Sequence, residues 1–390
     1  LDSLLLDPML VGVAKESFPG EKRVALVPAA IPPLTKAGLD VVIEAGAGAA
    51  AGFLDPWYAE KGARLVNRRE ALMADVVLAV RTAGANPMAG LADLERHRAG
   101  QVVIGLCDPL GEPGMIEQWA ARGITLFALE LLPRITRAQG MDVLSSMATV
   151  SGYRAVLLAA TALPRMFPML MTAAGTLTPA KVFIIGAGVA GLQAIATARR
   201  LGAVVSAYDV RLAAREQVRS VGAAFVEFPL ETGEAEAAGG YARQMDEAFY
   251  RRQRELMHRV VAESDVVIAT AAVPGKKAPV LVTAEMVAAM APGSVIVDLA
   301  AERGGNCERT RPGEKIVEHG VIILGPVNLP SEVAYHASQM YAKNVSTFLL
   351  HLVQEGQLQL DLEDPITRET LVARDGTVIR AETKEVASRS

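Results

Sequence analysis

The sequence predicts an α/β protein: two doubly wound parallel-sheet domains joined by long helices. Three observations carry this. Short β-rich runs alternate with helix-like stretches; the alternation occurs as two separate sets, before Asp142 and after Ala180; and long apolar stretches without internal proline lie between the sets and again after Pro330.

The first set, from Met9, reads "MLVGVAKE", "VVIEAG", "ARLV", "DVVLAVR", "QVVIGL" and "ITLFALE". "MDVLSSMATVSGYRAVLLAATAL" follows, free of proline until Pro164 and apolar at Met141, Leu144, Met147 and Ala148, which predicts a long connecting helix. The second set reads "KVFIIGAG", "VVSAYD", "AAFVEF", "DVVIATA", "GSVIVDLA" and "GVIILG". After Pro330, Ser331 followed by Glu332 is an N-cap signature for a second long helix that carries the chain back to the first domain. The tail "DPITRETLVARDGTVIRAE" places an Asp-Gly turn between β-rich runs and reads as a hairpin. The expected domains are therefore 1–142 with 331–390, and 143–330. Residues 230–255, acidic and glycine-rich and then helical, form a long insertion that is either an active-site lid or a disordered loop.

With 390 residues, 51% hydrophobic and 21% charged, the chain can bury two sizeable cores. A net charge of -4 offers no field for gathering polyphosphate, which argues against a nucleic-acid partner. Cys107 and Cys307 have no Cys or His at metal-ligand spacing, so the expectation is buried thiols in a reducing compartment and no metal site. "LDSLLLDPML" lacks a basic flank and reads as neither signal peptide nor anchor. Pro164, Arg165 and Pro168 break the most apolar stretch, so no uninterrupted membrane span is expected there and the chain is expected to be soluble.

"KVFIIGAGVAGLQAIATARRLGAVVSAYDVR" carries Gly186, Gly188 and Gly191 in G-x-G-x-x-G spacing between a strand and an Ala-rich helix. The first glycine permits a tight turn, the second admits a pyrophosphate to the backbone, and the third allows close packing of helix on strand. The helix N-terminus supplies N–H donors and a positive dipole end. Asp209 ends the next strand, eighteen residues beyond Gly191, where an acid accepts hydrogen bonds from ribose hydroxyls and repels a 2′-phosphate. Arg211 nearby argues the other way, for NADP; the strand-end carboxylate favours NAD.

An alcohol or amine dehydrogenase moves a proton as well as a hydride and needs a base. None of the five histidines, His97, His258, His319, His336 and His351, ends a predicted strand, and surface or helix-face positions are expected for all of them. Hydride transfer between two nicotinamide rings moves no proton; it requires ring apposition and tolerance of positive charge on the oxidised ring. "RITRAQGMD" offers Arg134 and Gln139 to orient carboxamides and Asp142 to face a pyridinium. The same segment also reads as a polar interdomain loop whose Asp142 caps the helix starting at Val143.

"RAQGMDVLSSMATVSGYRAV", "FPMLMTAAGTLTPAKVFIIGAGVAGLQAIATARRLGAVV", "DVRLAAREQV", "GGYARQM" and "AAVPGKKAP" closely resemble the NAD(H)-binding component, domain I, of the proton-translocating nicotinamide nucleotide transhydrogenases, over about Val11 to Val353. The resemblance implies a homodimer of chains with two Rossmann-like domains each, active with a membrane domain II that carries protons and a domain III that holds NADP(H). It implies a cytoplasmic subunit, peripheral at the inner face of the bacterial plasma membrane through its partners. It also implies that Arg134, Gln139 and Asp142 are the family's Arg-Gln-Asp loop at the nicotinamide, that Ser145 contacts the carboxamide, and that Tyr241 rides on a mobile loop closing over the nucleotide. Nucleotide contacts carry over to Arg134, Ile135, Thr136 and Arg137; to Gly186, Ala187, Gly188, Val189 and Gly191; to Asp209, Val210 and Arg211; and to Gly240, Gln253 and Ala272.

Alanine dehydrogenase resembles the chain in fold and in the opening "VAKESFPGEKRVALVP". That resemblance implies a lysine and a histidine for pyruvate, where this sequence has Arg81 and Asp108. A non-catalytic NAD-sensing module is the remaining alternative, in which "RITRAQGMD" is only structural. The chain ends without the membrane stretch of fused transhydrogenases, which fits a separate subunit and a piece of a longer chain equally well.

Overall fold

The computed structural model describes residues 8–227, 247–272 and 275–379. The chain divides into two compact units, Leu1–Met147 with Pro330–Ser390, and Ala148–Leu329.

The first unit opens with β1 (Met9–Val13), β2 (Leu39–Glu44), β3 (Arg64–Val66), β4 (Val76–Arg81), β5 (Val102–Leu106) and β6 (Thr125–Ala128), all parallel. Their apolar runs leave Val11, Ile43, Val76, Leu78, Val103 and Phe127 without solvent exposure, as strands covered on both faces require. The order β3-β2-β1-β4-β5-β6 reverses direction between β1 and β4, and α/β sheets hold ligands beyond the carboxyl ends of strands at such reversals.

A 20-residue helix, Val143–Ala162, starts where the apolar pattern predicts. Asp142 caps it: the carboxylate accepts the Ser145 backbone N–H at 2.8 Å and the Ser145 hydroxyl at 2.6 Å, and a cap of this kind stabilises by about 1 kcal/mol. The helix is long and apolar enough by composition to cross a membrane, but Ala155, Val156 and Ala159 are fully buried in the core of the second unit. The polypeptide leaves the helix just before Pro164.

The second unit begins with a small hairpin, β7 (Leu170–Thr172) and β8 (Gly175–Leu177), which the β-rich pattern does not reveal. Its sheet comprises β9 (Lys181–Ile185), β10 (Val204–Tyr208), β11 (Ala224–Phe225), β12 (Val266–Ala269), β13 (Val295–Asp298), β14 (Lys315–Glu318) and β15 (Val321–Leu324). The order is β11-β10-β9-β12-β13-β15-β14, with the reversal between β9 and β12. Six strands coincide with sequence-predicted runs. β14 does not: it is a half-exposed antiparallel edge joined to β15 by His319 and Gly320, both at positive φ. Helices Val189–Arg200 and Glu247–Ala262 precede β10 and β12; the predicted helical part of the insertion is the latter, and its residues 228–246 lie outside the described residues.

The returning helix is Ala334–Leu352, preceded by a 3-10 turn over Leu329–Val333. Ser331 therefore does not cap it; the N-cap is Val333, with no side-chain hydrogen bond. The Ser331 hydroxyl instead accepts the Lys22 N–H at 2.7 Å and donates to the Gly20 carbonyl at 2.9 Å, a tertiary tie that outcompetes the local cap. The same helix sends Tyr341 to the Ala79 carbonyl of β4 at 2.7 Å and Asn344 to the Gly140 carbonyl at 2.9 Å. A two-residue-strand hairpin, β16 (Val353–Gln354) with β17 (Gln357–Leu358), follows. In the tail, "DPITRET" departs from the β-rich expectation: Asp364 caps a short helix, Pro365–Thr370. The hairpin proper is β18 (Leu371–Arg374) and β19 (Thr377–Val378), turned by Asp375 and Gly376 at φ 49° and 79°, and β18 extends the first sheet antiparallel to β6.

His97 corrects the expectation for the histidines. It is buried against Trp119, with Nδ1 3.1 Å from the Gln101 amide oxygen, and burial holds its pKa below the usual value. Both cysteines are free and buried.

At the end of β5, the Glu130 carboxylate accepts the backbone N–H groups of Cys107, at 2.8 Å, and Asp108. Its other oxygen, Oε2, is buried without a hydrogen-bond partner, and burial pushes its pKa up to about 7. The folded state thus holds this proton more tightly than the unfolded chain, whose glutamates titrate near 4.5. Unfolding between those values releases a proton, so the contribution of Glu130 to stability falls as pH rises from about 4.5 to about 7. Glu130→Gln removes the titration: between pH 5 and 7.5 its unfolding midpoint should decline less with pH than that of the parent chain, and parallel curves would refute the assignment.

Candidate functional site: a dinucleotide turn and an Arg-Gln-Asp loop

In the second unit, β9 runs into Gly186 at φ 96°, a left-handed conformation open to glycine and costly for other residues. A Cβ there would lie 2.6 Å from Thr270 Oγ1, and one on Gly191 would lie 1.9 Å from the Gly186 carbonyl oxygen. A Cβ on Gly188, by contrast, would meet nothing within 4 Å. The first and third glycines are thus required by packing, whereas the second leaves open space at the N-terminus of helix Val189–Arg200, which it caps. Ala187 is buried, and Val189 is exposed in the first turn. A bare backbone at a helix start, beside the carboxyl ends of β9 and β12, fits a pyrophosphate.

Asp209, 6% exposed, follows β10. Its Oδ2 accepts the Ala187 N–H at 2.7 Å and Arg211 Nη2 at 2.9 Å; its Oδ1 accepts the Arg211 backbone N–H at 2.8 Å and Nε at 3.0 Å. Val210 lies between them. Gln253, on helix Glu247–Ala262, is buried and donates to the Tyr208 hydroxyl at 2.9 Å, while its Oε1 has no hydrogen-bond partner. That acceptor lies at the strand end occupied by Asp209, where an adenosine would offer donors. Ala272 is exposed in the loop after β12. Asn306, which sequence reasoning missed, fixes this loop through the Ala271 N–H, the Ala271 carbonyl and the Pro279 carbonyl at 2.8–3.0 Å. No local pattern marks it. Gly240 and Tyr241 lie outside the described residues.

In the first unit, residues Thr136–Met141 form a 3-10 turn anchored by buried Ala138 and Met141. Arg134, Ile135, Thr136, Arg137 and Gln139 are exposed on it, and Asp142 and Ser145 are half-buried. Asn344 holds the turn from below through Gly140, and Asp142 and Ser145 hold each other. Arg137 forms a two-bond ion pair with Asp364 at 2.7 and 3.0 Å, and Asp364 has its pKa lowered; of the causes that lower it, the first is the Ile366 N–H, followed by Arg137. The helix-capping role that the sequence predicts for Asp142 is therefore present, on a loop that also displays Arg134 and Gln139.

Arg81 and Asp108 occupy the ends of β4 and β5. The Arg81 guanidinium lies 4.3 Å over the Phe18 ring and its Nε is 3.5 Å from Glu21; Asp108 adopts φ 49°. Among the described residues there is no cluster of three or more His, Cys, Asp or Glu able to hold a metal.

Comparison with known proteins completes the picture. Residues 12–151 match the family described as alanine dehydrogenase/PNT, N-terminal domain, and residues 155–381 match its C-terminal domain. The first of the separate chains that make up the NAD(P) transhydrogenase alpha subunit of Rhodospirillum rubrum is 45% identical over 379 residues, covering 95% of this chain and 98% of the relative. The crystal structure of transhydrogenase from Sinorhizobium meliloti superposes with a TM-score of 0.84 at 46% identity, covering 95% of this chain and all of that one. Alanine dehydrogenase is a more distant relative: the Mycolicibacterium smegmatis enzyme is 28% identical over 95% of each chain. This chain belongs to the alanine dehydrogenase/PNT family, beside the alpha subunits of NAD(P) transhydrogenase.

Proposed function

We propose that this chain is the NAD(H)-binding subunit of a proton-translocating, Re/Si-specific NAD(P)+ transhydrogenase, passing hydride directly between NADH and NADP+ held on a partner domain III. A membrane domain II would couple that transfer to proton movement and place this subunit at the cytoplasmic, inner face of the plasma membrane. The observation that carries the reading is the 134–145 loop: an arginine, a glutamine and a carboxylate held on a turn pinned by Asn344 and Ser145, with no proton-transferring side chain among them.

When bound, NAD(H) supplies the hydride or accepts it. The chain's own residues have three tasks. Backbone N–H groups at Gly186–Gly191 and the start of the following helix hold the pyrophosphate. Asp209 and Gln253 take the adenosine end, with Ala272, Gly240 and Val210 beside it and Tyr241 closing over it. Arg134, Gln139 and Ser145 orient the carboxamide, and Asp142 lies where positive charge develops on the oxidised ring. Ile135 and Thr136 line the same turn, and the ion pair to Asp364 keeps Arg137 in the role of support.

Amino-acid dehydrogenase chemistry is disfavoured by Arg81, stacked on Phe18 and near Glu21, and by Asp108, since neither residue is the lysine or histidine of that pattern. A homodimer is supported by the apolar surface on and around β7–β8, where Met166, Met169, Met171 and Leu177 are 51%, 57%, 79% and 48% exposed.

Mixed with a transhydrogenase domain III, the chain should reduce an NAD analogue from NADPH and should not turn over alanine with NAD+. No hydride transfer in the mixture would overturn the proposal, and alanine turnover would promote the dehydrogenase reading. Asp142→Asn keeps a side chain that caps as well as aspartate, so folding should persist while hydride transfer falls on the order of 100-fold. Equal losses in NADH binding and in rate would instead make Asp142 structural. Met171→Glu should shift the sedimenting species toward monomer; an unchanged dimer would place the interface elsewhere.

A further inference from the structure

The carboxylate of Asp209 offers about four lone-pair sites, and four donors fill them. Three of those donors belong to Arg211: its backbone N–H, Nε and Nη2; the fourth is the Ala187 N–H. The acid that would receive ribose hydroxyls is therefore occupied by a guanidinium two residues away, in a paired geometry that is among the stronger charge-assisted contacts. The Arg211 side chain is only 16% exposed, so the pair is shielded from the solvent screening that weakens surface ion pairs.

Resting on the reading that this unit binds NAD(H), we propose that Arg211 is a latent receptor for a 2′-phosphate, withheld by Asp209. The acid then sets cofactor choice in two ways. Its charge repels a phosphate on the ribose, and its two oxygens hold in place the guanidinium that would otherwise bind that phosphate. The bond from the Arg211 N–H to Oδ1 is a local Asx-type contact that fixes the start of the side chain at the strand end. Without the carboxylate, the guanidinium remains tethered beside the adenosine ribose and has lost its fork partner. Arginine suits a phosphate because its planar donors match two oxygens at once.

The test is the binding of NADH and of NADPH, by nucleotide fluorescence, to the full chain, to Asp209→Ser and to the double variant Asp209→Ser/Arg211→Ala. The parent chain should bind NADH and discriminate against NADPH. Asp209→Ser should weaken NADH and tighten NADPH, moving the ratio of dissociation constants by roughly 10- to 100-fold. The double variant should lose the NADPH gain while binding NADH much as the single variant does. Equal NADPH affinity in the single and double variants would overturn the proposal by showing that Asp209 acts only through repulsion. No NADPH gain in Asp209→Ser, with NADH binding retained in the parent chain, would overturn it as well. A parent chain that binds no NADH would bring down the functional reading itself, which is a separate result. Asp209→Asn, which keeps an acceptor for the Ala187 N–H, provides the same comparison should the serine variant fold poorly.

Discussion

The distance at which helix Val189–Arg200 can approach β9 governs what the second unit presents. With a hypothetical Cβ on Gly191 only 1.9 Å from the Gly186 carbonyl oxygen, and one on Gly152 only 2.1 Å from the Ala190 carbonyl oxygen, the start of that helix is squeezed from two sides by backbone. Any side chain at either position would push the helix outward and open the gap that Thr270 now closes with its hydrogen bond to the Gly186 carbonyl at 3.0 Å. The open space at Gly188 follows from this packing. A phosphate can reach the first N–H groups of the helix because neighbouring glycines let everything else draw close.

The first unit meets a different constraint. Its loop at residues 134–145 has little core of its own, and only Ala138 and Met141 are buried in the turn. Order comes from elsewhere: Asn344, more than two hundred residues downstream, bonds Gly140, and Asp364 takes Arg137. The returning helix fixes the start of the chain as well, through Ser331 and Ser338 to the backbone of Lys22 and Val24. A loop held by distant polar contacts can display exposed arginine and glutamine in a defined place without burying them.

Features whose cause is local are legible in the sequence. Each parallel strand has its own apolar run, the glycine spacing has its own turn, and Asp375-Gly376 has its own positive-φ pair. Ser331 misleads because a local cap signal competes with a tertiary bond to Lys22, and periodicity carries no information about such a partner. β14 escapes notice because an exposed edge strand alternates polar with apolar residues and is short. His97 reads as a surface residue because nothing in its neighbourhood announces Trp119 across the unit. At the candidate site the residue types are legible, but their partners are not: the occupation of Asp209 by Arg211, the ion pair of Arg137, the spare acceptor of Gln253 and the clamp by Asn306 all depend on geometry.

The two units share an architecture yet treat the carboxyl ends of their strands in opposite ways. In the second, glycine clears the backbone and leaves space beside a helix start. In the first, the protein's own carboxylates take the backbone donors: Glu16 accepts the N–H groups of Val80 and Arg81 at 2.6 and 3.1 Å, and Glu130 accepts those of Cys107 and Asp108. Glu21 meanwhile grips Arg23 in a buried fork at 2.7 and 2.8 Å. Buried charge of this kind costs desolvation that only good geometry offsets, and for Glu16 and Glu130 the offset is incomplete, which is why both titrate near 7. The strand ends that a related amino-acid dehydrogenase would use for substrate are thus filled from within, and the exposed polar groups of the first unit are those of the 134–145 loop. Duplicating one fold and filling one copy while clearing the other yields a nucleotide-binding unit and a rigid support for a loop, which is the division of labour that hydride exchange between two bound nucleotides requires.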